Sequence, residues 1–281
     1  MTRGVALDTG GREIRLKWHQ LRRARADPAH DRTNLRLGIE QGASLEVDIV
    51  ATRDGHFVCL HDAELACETT GRGPVHEQDR SALERLRQSA ADGRPLASPP
   101  LFLDEVLAAL AETPAGRTGR LQLDLKQPLG LIDHRLTRRF TELARPVAQH
   151  LILAGTEWRA VQRLGEAVPC LRLGFDPLAI HEAAPPASAA EFEALGALML
   201  AHAPDAAIFY LHVPLVLDAL AADVDLVAMA KAAGAEVDAW RLEPGDKGAM
   251  ATLATLIAAG VDQITTDSPL ALEKLWQSRA R

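Results

Sequence analysis

Glu46-x-Asp48 and His61-Asp62 flank an Asp54-Gly55 pair in the stretch EVDIVATRDGHFVCLHD. Two carboxylates two residues apart on an extended chain point to the same face. Such oxygens are hard donors suited to Mg²⁺ or Ca²⁺. An imidazole beside them can move protons near neutral pH. Asp-Gly suits a type I′ hairpin turn, which needs positive φ at both central residues. With Asp54 and Gly55 as a two-residue loop, Arg53 pairs with His56. Counting outward sets Thr52 against Phe57, Val50 against Cys59 and Asp48 against His61. Directly opposed residues share a face, with Cβ atoms about 5 Å apart. The count predicts Glu46, Asp48 and His61 on one patch, and a slip of one residue would break it.

The elements that must position this patch alternate along the chain. Strands are predicted at Ile14–Trp18, Ser44–Thr52, Leu121–Lys126, Leu151–Gly155, Cys170–Phe175, Ala207–Val213, Glu236–Leu242 and Gln263–Asp267. Helical patterns follow: one capped by Asn34, then Asp79–Gln88, Leu103–Leu110, His134–Ala148, Glu157–Glu166, a helix ending near His202, Val224–Ala233, Ala249–Ala259 and Pro269–Trp276. Gln20–Thr33 and HEAAPPASAA read as loops. Alternating βα units imply a parallel sheet, and eight of them imply a (β/α)8 TIM barrel, an α/β fold. The hairpin's return arm is antiparallel and becomes an extension after strand two. An open doubly wound sheet is the alternative, but no Gly-rich phosphate loop follows the first strand.

Barrel chemistry sits at the C-terminal ends of the strands. His19 ends the first strand, and Asp124-x-Lys126 ends the third on one face. Trp240 lies near the end of the seventh. All join Glu46, Asp48 and His61 at one rim. Asp176, Tyr210 and His212 also lie near strand ends and are weaker candidates for substrate contact. His30, His56, His76, His134, His150, His181 and His202 read as surface or loop residues.

The chain has 281 residues, 47% hydrophobic, and nothing resembling a linker, so one domain spanning 1–281 is expected. A formal net charge of −7 disfavours a nucleic-acid partner. No apolar run approaches a membrane span, so no stable membrane insertion is expected. Cys59, Cys67 and Cys170 form no spaced framework and read as reduced thiols. With no apolar signal core near the start, the expected location is cytoplasmic. Oligomeric state has no signature in the sequence.

These residues resemble the glycerophosphodiester phosphodiesterase family. Its pattern is a His after strand one, Glu-x-Asp, a DG turn and a His-Asp pair, matched here by His19, Glu46-x-Asp48, Asp54-Gly55 and His61-Asp62. Thr69 to Gly73 (Thr-Thr-Gly-x-Gly), LDEVLAAL, Asp124-x-Lys126, Trp240 and GVDQITTDSP fit as well. The resemblance implies a metal-dependent phosphodiesterase that hydrolyses glycerophosphodiesters, or a related alcohol phosphodiester, to an alcohol and a phosphomonoester. A divalent ion, Mg²⁺ or Ca²⁺, would be held by Glu46, Asp48 and Asp124. His19 and His61 would be the acid–base pair, and Lys126 would contact a phosphate oxygen as a point charge.

The departures are specific. The family's Arg-Gly after the first His is Gln20-Leu21 here, leaving Arg22 or Arg23 as candidate phosphate binders. Its Glu-Asn-Thr before the first helix is Arg32-Thr33-Asn34. Its third carboxylate, usually Glu, is Asp124, an Asp-x-Lys arrangement shared with the related sphingomyelinase D enzymes. Its Thr-Val-Asn after the Trp is Arg241-Leu242-Glu243. Two alternatives follow: a catalytically weakened relative that binds phosphorylated ligands, and a sphingomyelinase D-like enzyme with an apolar rim.

Overall fold

Eight parallel strands close on themselves in the computed structural model, which describes residues 3–112 and 119–279. An antiparallel strand β1 (Ala6–Asp8) precedes the barrel and pairs with β2 (Glu13–Trp18). The barrel then runs through β3 (Ser44–Ala51), β5 (Leu121–Leu125), β6 (Leu151–Gly155), β7 (Arg172–Phe175), β8 (Ile208–His212), β9 (Glu236–Trp240) and β10 (Gln263–Thr266). Parallel pairing of β10 with β2 and of β2 with β3 closes the ring. The two-residue β4 (Phe57–Val58) lies antiparallel on β3, as the hairpin extension requires. The (β/α)8 expectation therefore holds, with β1 as an addition the sequence pattern did not show.

Strands covered on both faces read as nearly continuous apolar runs. Here one face departs from that rule. Val47, Ile49, Leu123, Leu153, Phe209, Val237 and Ile264 point outward under the helices and are fully or almost fully buried. The inward face carries Lys17, Gln122, Asp238, Gln263 and Thr265 beside a small apolar group of Ile152, Ala154, Ile208 and Tyr210. Lys17 Nζ lies 2.9 Å from Asp238 Oδ2 and 4.3 Å from the Tyr210 ring centre, and it donates to Gln122. Thr265 Oγ1 donates to Asp238 Oδ1 at 2.7 Å. A buried ion pair of this kind is tolerated only when its remaining donors and acceptors are met, and these neighbours meet them.

Several local expectations are corrected. The first long helix spans Arg32–Gln41, and its N-cap is Asp31, whose side chain accepts from the Asn34 amide. Gly42 at φ 69° ends it, a left-handed cap that glycine adopts without steric cost. The helix expected at Asp79–Gln88 shrinks to Arg80–Leu83. That at His134–Ala148 ends at Ala144 and continues as 3₁₀ turns. The helix Leu178–Ala183 runs into the expected HEAAPPASAA loop, and Val213–Ala221 is a helix the sequence pattern did not show.

The hairpin also differs. Only Gly55 of the Asp54-Gly55 pair has positive φ, 84°, so a type I′ turn is excluded. Asp54 instead accepts from Thr52 Oγ1 at 2.7 Å and from the Arg80 amide. The Thr52 amide donates to His56 O, which makes a three-residue loop. The register becomes Val50 opposite Val58 and Ala51 opposite Phe57, one residue from the counted one. Beyond Val58 the return arm leaves β3 and bonds instead to Leu101 and Phe102. His61 is therefore not the ladder partner of Asp48.

Candidate active site at the C-terminal mouth of the barrel

A cleft of about 150 Å³ opens at the C-terminal mouth. Its walls include His19, Glu46, His61, Asp124, Lys126 and Trp240, six of the residues expected there. Asp176, Leu178, Tyr210 and Thr156 line the far wall, and Lys17, Gln122 and Thr265 are also among its walls. A larger groove, about 450 Å³, runs between the helices His134–Ala144 and Trp158–Gly165, but it holds no cluster of carboxylates with a facing pair of imidazoles.

Parallel register sets Glu46 beside Gln122 and Asp48 beside Asp124. Oxygens of Glu46, Asp48 and Asp124 come within 4.8 Å of one another. Glu46 and Asp48 are only 2% and 1% exposed. Burial first, then the Asp48 and Asp124 charges, push the Glu46 carboxyl up to about 8. Burial acts the same way on Asp48, but Lys126 and a hydrogen bond from His30 outweigh it and hold that carboxyl well below the usual range. Lys126 Nζ bridges Asp124 Oδ2 at 2.8 Å and Asp48 Oδ1 at 3.1 Å. Burial disfavours its charge, yet the two carboxylates win and raise its pKa.

The three carboxylates pass the chemical test for a hard divalent cation. Asp48 Oδ1 is buried and accepts no hydrogen bond, its charged neighbour being the Lys126 ammonium at 3.1 Å. Its other oxygen is held from behind: Gln20 Nε2 donates to Asp48 Oδ2 at 2.8 Å, and His30 Nε2 lies 3.4 Å from the same atom and 3.3 Å from the Asp48 amide. The Gln20 amide donates to Glu46 Oε2 at 2.6 Å. Contacts of this kind fix the orientation of metal-binding carboxylates.

His19 Nδ1 lies 2.7 Å from Asp267 Oδ1. Asp267 is itself met by Arg22 at 3.3 Å and Arg241 at 3.4 Å. Burial works against its charge, but the His19 contact and the arginines hold its pKa down. An Nδ1–H given to Asp267 leaves Nε2 of His19 for a ligand. His61 is more open; its amide donates to Glu68 Oε2 at 2.6 Å, and Nδ1 lies 3.1 Å from Asp62. On the far wall Trp240 stacks on His212, with ring centres 4.8 Å apart. Asp176 accepts from the Leu178 amide at 2.9 Å, and burial followed by the Asp124 charge raises its pKa to about 7.

Two expected phosphate binders are placed elsewhere. Arg22 Nη1 donates to Gln20 Oε1 at 2.7 Å, and the Arg23 guanidinium lies over the Trp18 ring at 5.4 Å. Neither lines the cleft. His30, expected as a surface or loop residue, lies in a loop but is fully buried. Gln20, His30 and Asp267 were not among the expected site residues. Asp267 lies in the ITTDSP segment, whose match to the family was a usable signal. Gln20 and His30 had no such signal, since each sits at φ 51° in an irregular loop.

A parallel barrel with a carboxylate cluster that could hold a metal ion, and histidines on the walls of the same C-terminal cleft, has the layout of a barrel enzyme. The chain matches the glycerophosphoryl diester phosphodiesterase family over residues 33–271 and belongs to that family. A Mycobacterium tuberculosis H37Rv protein named "Probable glycerophosphodiester phosphodiesterase 1" is 31% identical over 147 residues, 51% of this chain and 48% of the relative. The match thus spans about half the length of that curated relative. Among solved structures, a glycerophosphodiester phosphodiesterase of Agrobacterium tumefaciens C58 superposes with a TM-score of 0.66 at 20% identity, covering 92% of this chain and 99% of that one. An Oleispira antarctica phosphodiesterase, solved with its product sn-glycerol-3-phosphate, gives 0.64 at 19% identity, covering 93% and 96%. Both likenesses bear on the fold. Among the described residues no helix is long and apolar enough to cross a membrane.

Proposed function

We propose that the protein is a phosphoric diester hydrolase that cleaves glycerophosphodiesters, or a closely related alcohol phosphodiester, into an alcohol and a phosphomonoester. The observation that carries this is the cluster of Glu46, Asp48 and Asp124, with His19 and His61 on the walls of the same cleft. In this reading Glu46, Asp48 and Asp124 hold a divalent ion, Mg²⁺ or Ca²⁺. Bound there, the ion neutralises charge on the phosphate oxygens.

This chain's own residues do the rest. Lys126 offers an ammonium to a phosphate oxygen beside the carboxylates. Asp267 fixes the His19 ring, as the buried Asp does in hydrolytic triads. One imidazole takes the proton of the attacking water or hydroxyl, and the other protonates the leaving alkoxide. Trp240, with His212 behind it, forms a flat wall for the organic part of the substrate. The single-domain organisation and cytoplasmic location expected from the sequence remain part of this reading.

The weakened-relative reading has one observation in its favour: Gln20 occupies the position after His19, and neither Arg22 nor Arg23 lines the cleft, Arg22 being engaged by Gln20 and Asp267. A sphingomyelinase D-like rim finds no support. Leu131 and Leu198 are the large hydrophobic residues exposed among those described, and they lie on separate elements. A screen decides between the readings, with glycerophosphocholine, glycerophosphoethanolamine, glycerophosphoinositol and bis(p-nitrophenyl) phosphate against Mg²⁺, Ca²⁺, Mn²⁺ and a chelator. Chelator-sensitive release of sn-glycerol-3-phosphate is expected. Binding of glycerol phosphate without turnover of any diester would favour the weakened relative.

A further inference from the structure

The inward-facing strand positions that build the cleft continue down the barrel to its other end. There, Arg15 of β2, Arg120 just before β5 and Arg172 of β7 converge on one carboxylate, Glu236 at the start of β9. Arg120 takes both Glu236 oxygens in a fork. Arg172 Nη2 shares Oε1 at 3.1 Å and reaches Ala207 O at 3.4 Å. Among the described residues Arg15 has only Oε2, at 3.4 Å. The nearby Asp262 is already engaged by Lys231 at 2.7 Å and by the Val237 amide. Arg12 is spent on the carbonyls of Gly260 and Ile257.

The charges do not cancel. Three guanidiniums surround one carboxylate in a chain whose formal net charge is −7. Burial first, and then Arg120 and Arg172, depress the Arg15 pKa, so this cation is held at an electrostatic cost. A guanidinium has five N–H donors, and Arg15 uses one of them, on a long bond. The three side chains keep 26–38% of their surface exposed, so a solute can reach them. Planar donor forks from separate strands, rigidly placed and in excess of their acceptors, match a tetrahedral oxyanion.

We propose that the N-terminal mouth of the barrel is a second ligand site, taking a small polyvalent oxyanion of the phosphate or pyrophosphate class through Arg15, Arg172 and the outer edge of Arg120. The site is independent of the phosphodiesterase reading and stands or falls without it.

The test is calorimetric titration of the full chain with pyrophosphate in chelator, against sodium chloride at matched ionic strength. Arg15→Gln and Arg172→Gln are compared with wild type, and Lys126→Ala controls for binding in the cleft. Losing one charge-assisted contact should weaken pyrophosphate binding about tenfold or more in each Arg variant. Lys126→Ala should leave it within about twofold, the size expected of a distant screened charge. Melting without added anion supplies a second readout. At low salt Arg15→Gln should be no less stable than wild type, because it removes repulsion rather than support. Equal response to chloride, loss of binding in Lys126→Ala, or unchanged affinity in both Arg variants would each overturn the proposal.

Discussion

The two ends of this barrel are both built from inward-facing strand positions, yet they carry opposite charge. At the C-terminal mouth three carboxylates, Glu46, Asp48 and Asp124, share one lysine, Lys126. At the N-terminal mouth three arginines share one glutamate, Glu236. Between them the Lys17–Asp238 pair is balanced and fully buried. The middle layer is therefore a closed structural pair, while each end keeps a surplus of one sign. Two like charges 4 Å apart cost about 4 kcal/mol at the effective dielectric of a protein surface. A fold gains nothing by keeping such surpluses, so each is better understood as half of a contact completed by a ligand. The ends differ in how finished they are. At the top, Gln20 and His30 hold Asp48 from behind, whereas at the bottom Arg15 has one long bond.

The largest expected effect separates the two ends completely. His19→Ala and His61→Ala should each lower turnover on the best diester by about 10²–10⁴, the usual size of a proton-transfer contribution. Neither change should alter pyrophosphate affinity at the bottom. Full activity in both variants would remove the acid–base assignment. Next comes the third carboxylate. Asp124→Asn keeps the shape and loses the charge, so the metal concentration for half-maximal activity should rise by more than the roughly 10–100-fold typical of an outer-contact mutation. An unchanged value would take Asp124 out of the metal site.

The contacts behind the ligands should show that smaller effect. Gln20→Ala frees Asp48 Oδ2 on one side, and its Mg²⁺ affinity, read by calorimetry without substrate, should fall by about 10–100-fold. Thermal stability in chelator should change little by comparison. If affinity holds while stability collapses, Gln20 is a structural residue only.

How much of this was visible in the sequence depends on periodicity. Glu46, Asp48, Asp124, Lys126, His19 and Trp240 could be placed because strands alternate strictly, and barrel strands all end at one rim. The same alternation runs downward through Arg15-x-Lys17-x-His19 and Glu236-x-Asp238-x-Trp240, so the bottom cluster was equally legible. His61 reached the cleft although the register used to place it was off by one residue. The turn was decided by Asp54, whose side chain holds Thr52 and Arg80, and no dipeptide rule encodes that long-range contact. Gln20 and His30 were illegible for a related reason. Their positive φ values arise where an irregular loop folds back on the carboxylates, with the His30 amide donating to Gln20 O at 2.7 Å.

A pH measurement sharpens the comparison further. With its pKa raised to about 8 in the folded, metal-free protein, Glu46 is largely protonated at pH 7. Metal binding needs the carboxylate, so Mg²⁺ should displace close to one proton at that pH. Calorimetry in buffers of different ionisation enthalpy reads this number directly. The stability sign follows. Between the unfolded value of 4.5 and about 8 the folded chain holds a proton that the unfolded chain lacks. Metal-free stability should therefore fall as pH rises through that window, and Glu46→Gln should flatten the slope. No proton release would mean that Glu46 is not the group that ionises on binding.

The smallest effect belongs to the bottom carboxylate. Burial opposes the Glu236 charge, but the hydrogen bonds from Arg120 and the charges of Arg172 and Arg15 win and depress its pKa below 4.5. A depressed acid contributes stability that is present above its unfolded pKa and is lost as pH falls through its folded one. The loss should thus appear only below about pH 4.5, on the acid limb. The side chains are 26–38% exposed, so solvent screening keeps the net contribution near about 1 kcal/mol. Glu236→Gln should lower Tm near neutral pH by a few degrees, about what 1 kcal/mol does in a domain of this size. It should also flatten the acid limb. Added pyrophosphate should recover part of the lost Tm in Glu236→Gln, because an oxyanion can replace the missing charge between the three arginines. A ligand held only in the cleft would raise Tm alike in wild type and Glu236→Gln by mass action, so a gain no larger in the variant than in wild type would mark the bottom cluster as a plain structural ion pair and end the parallel between the two mouths.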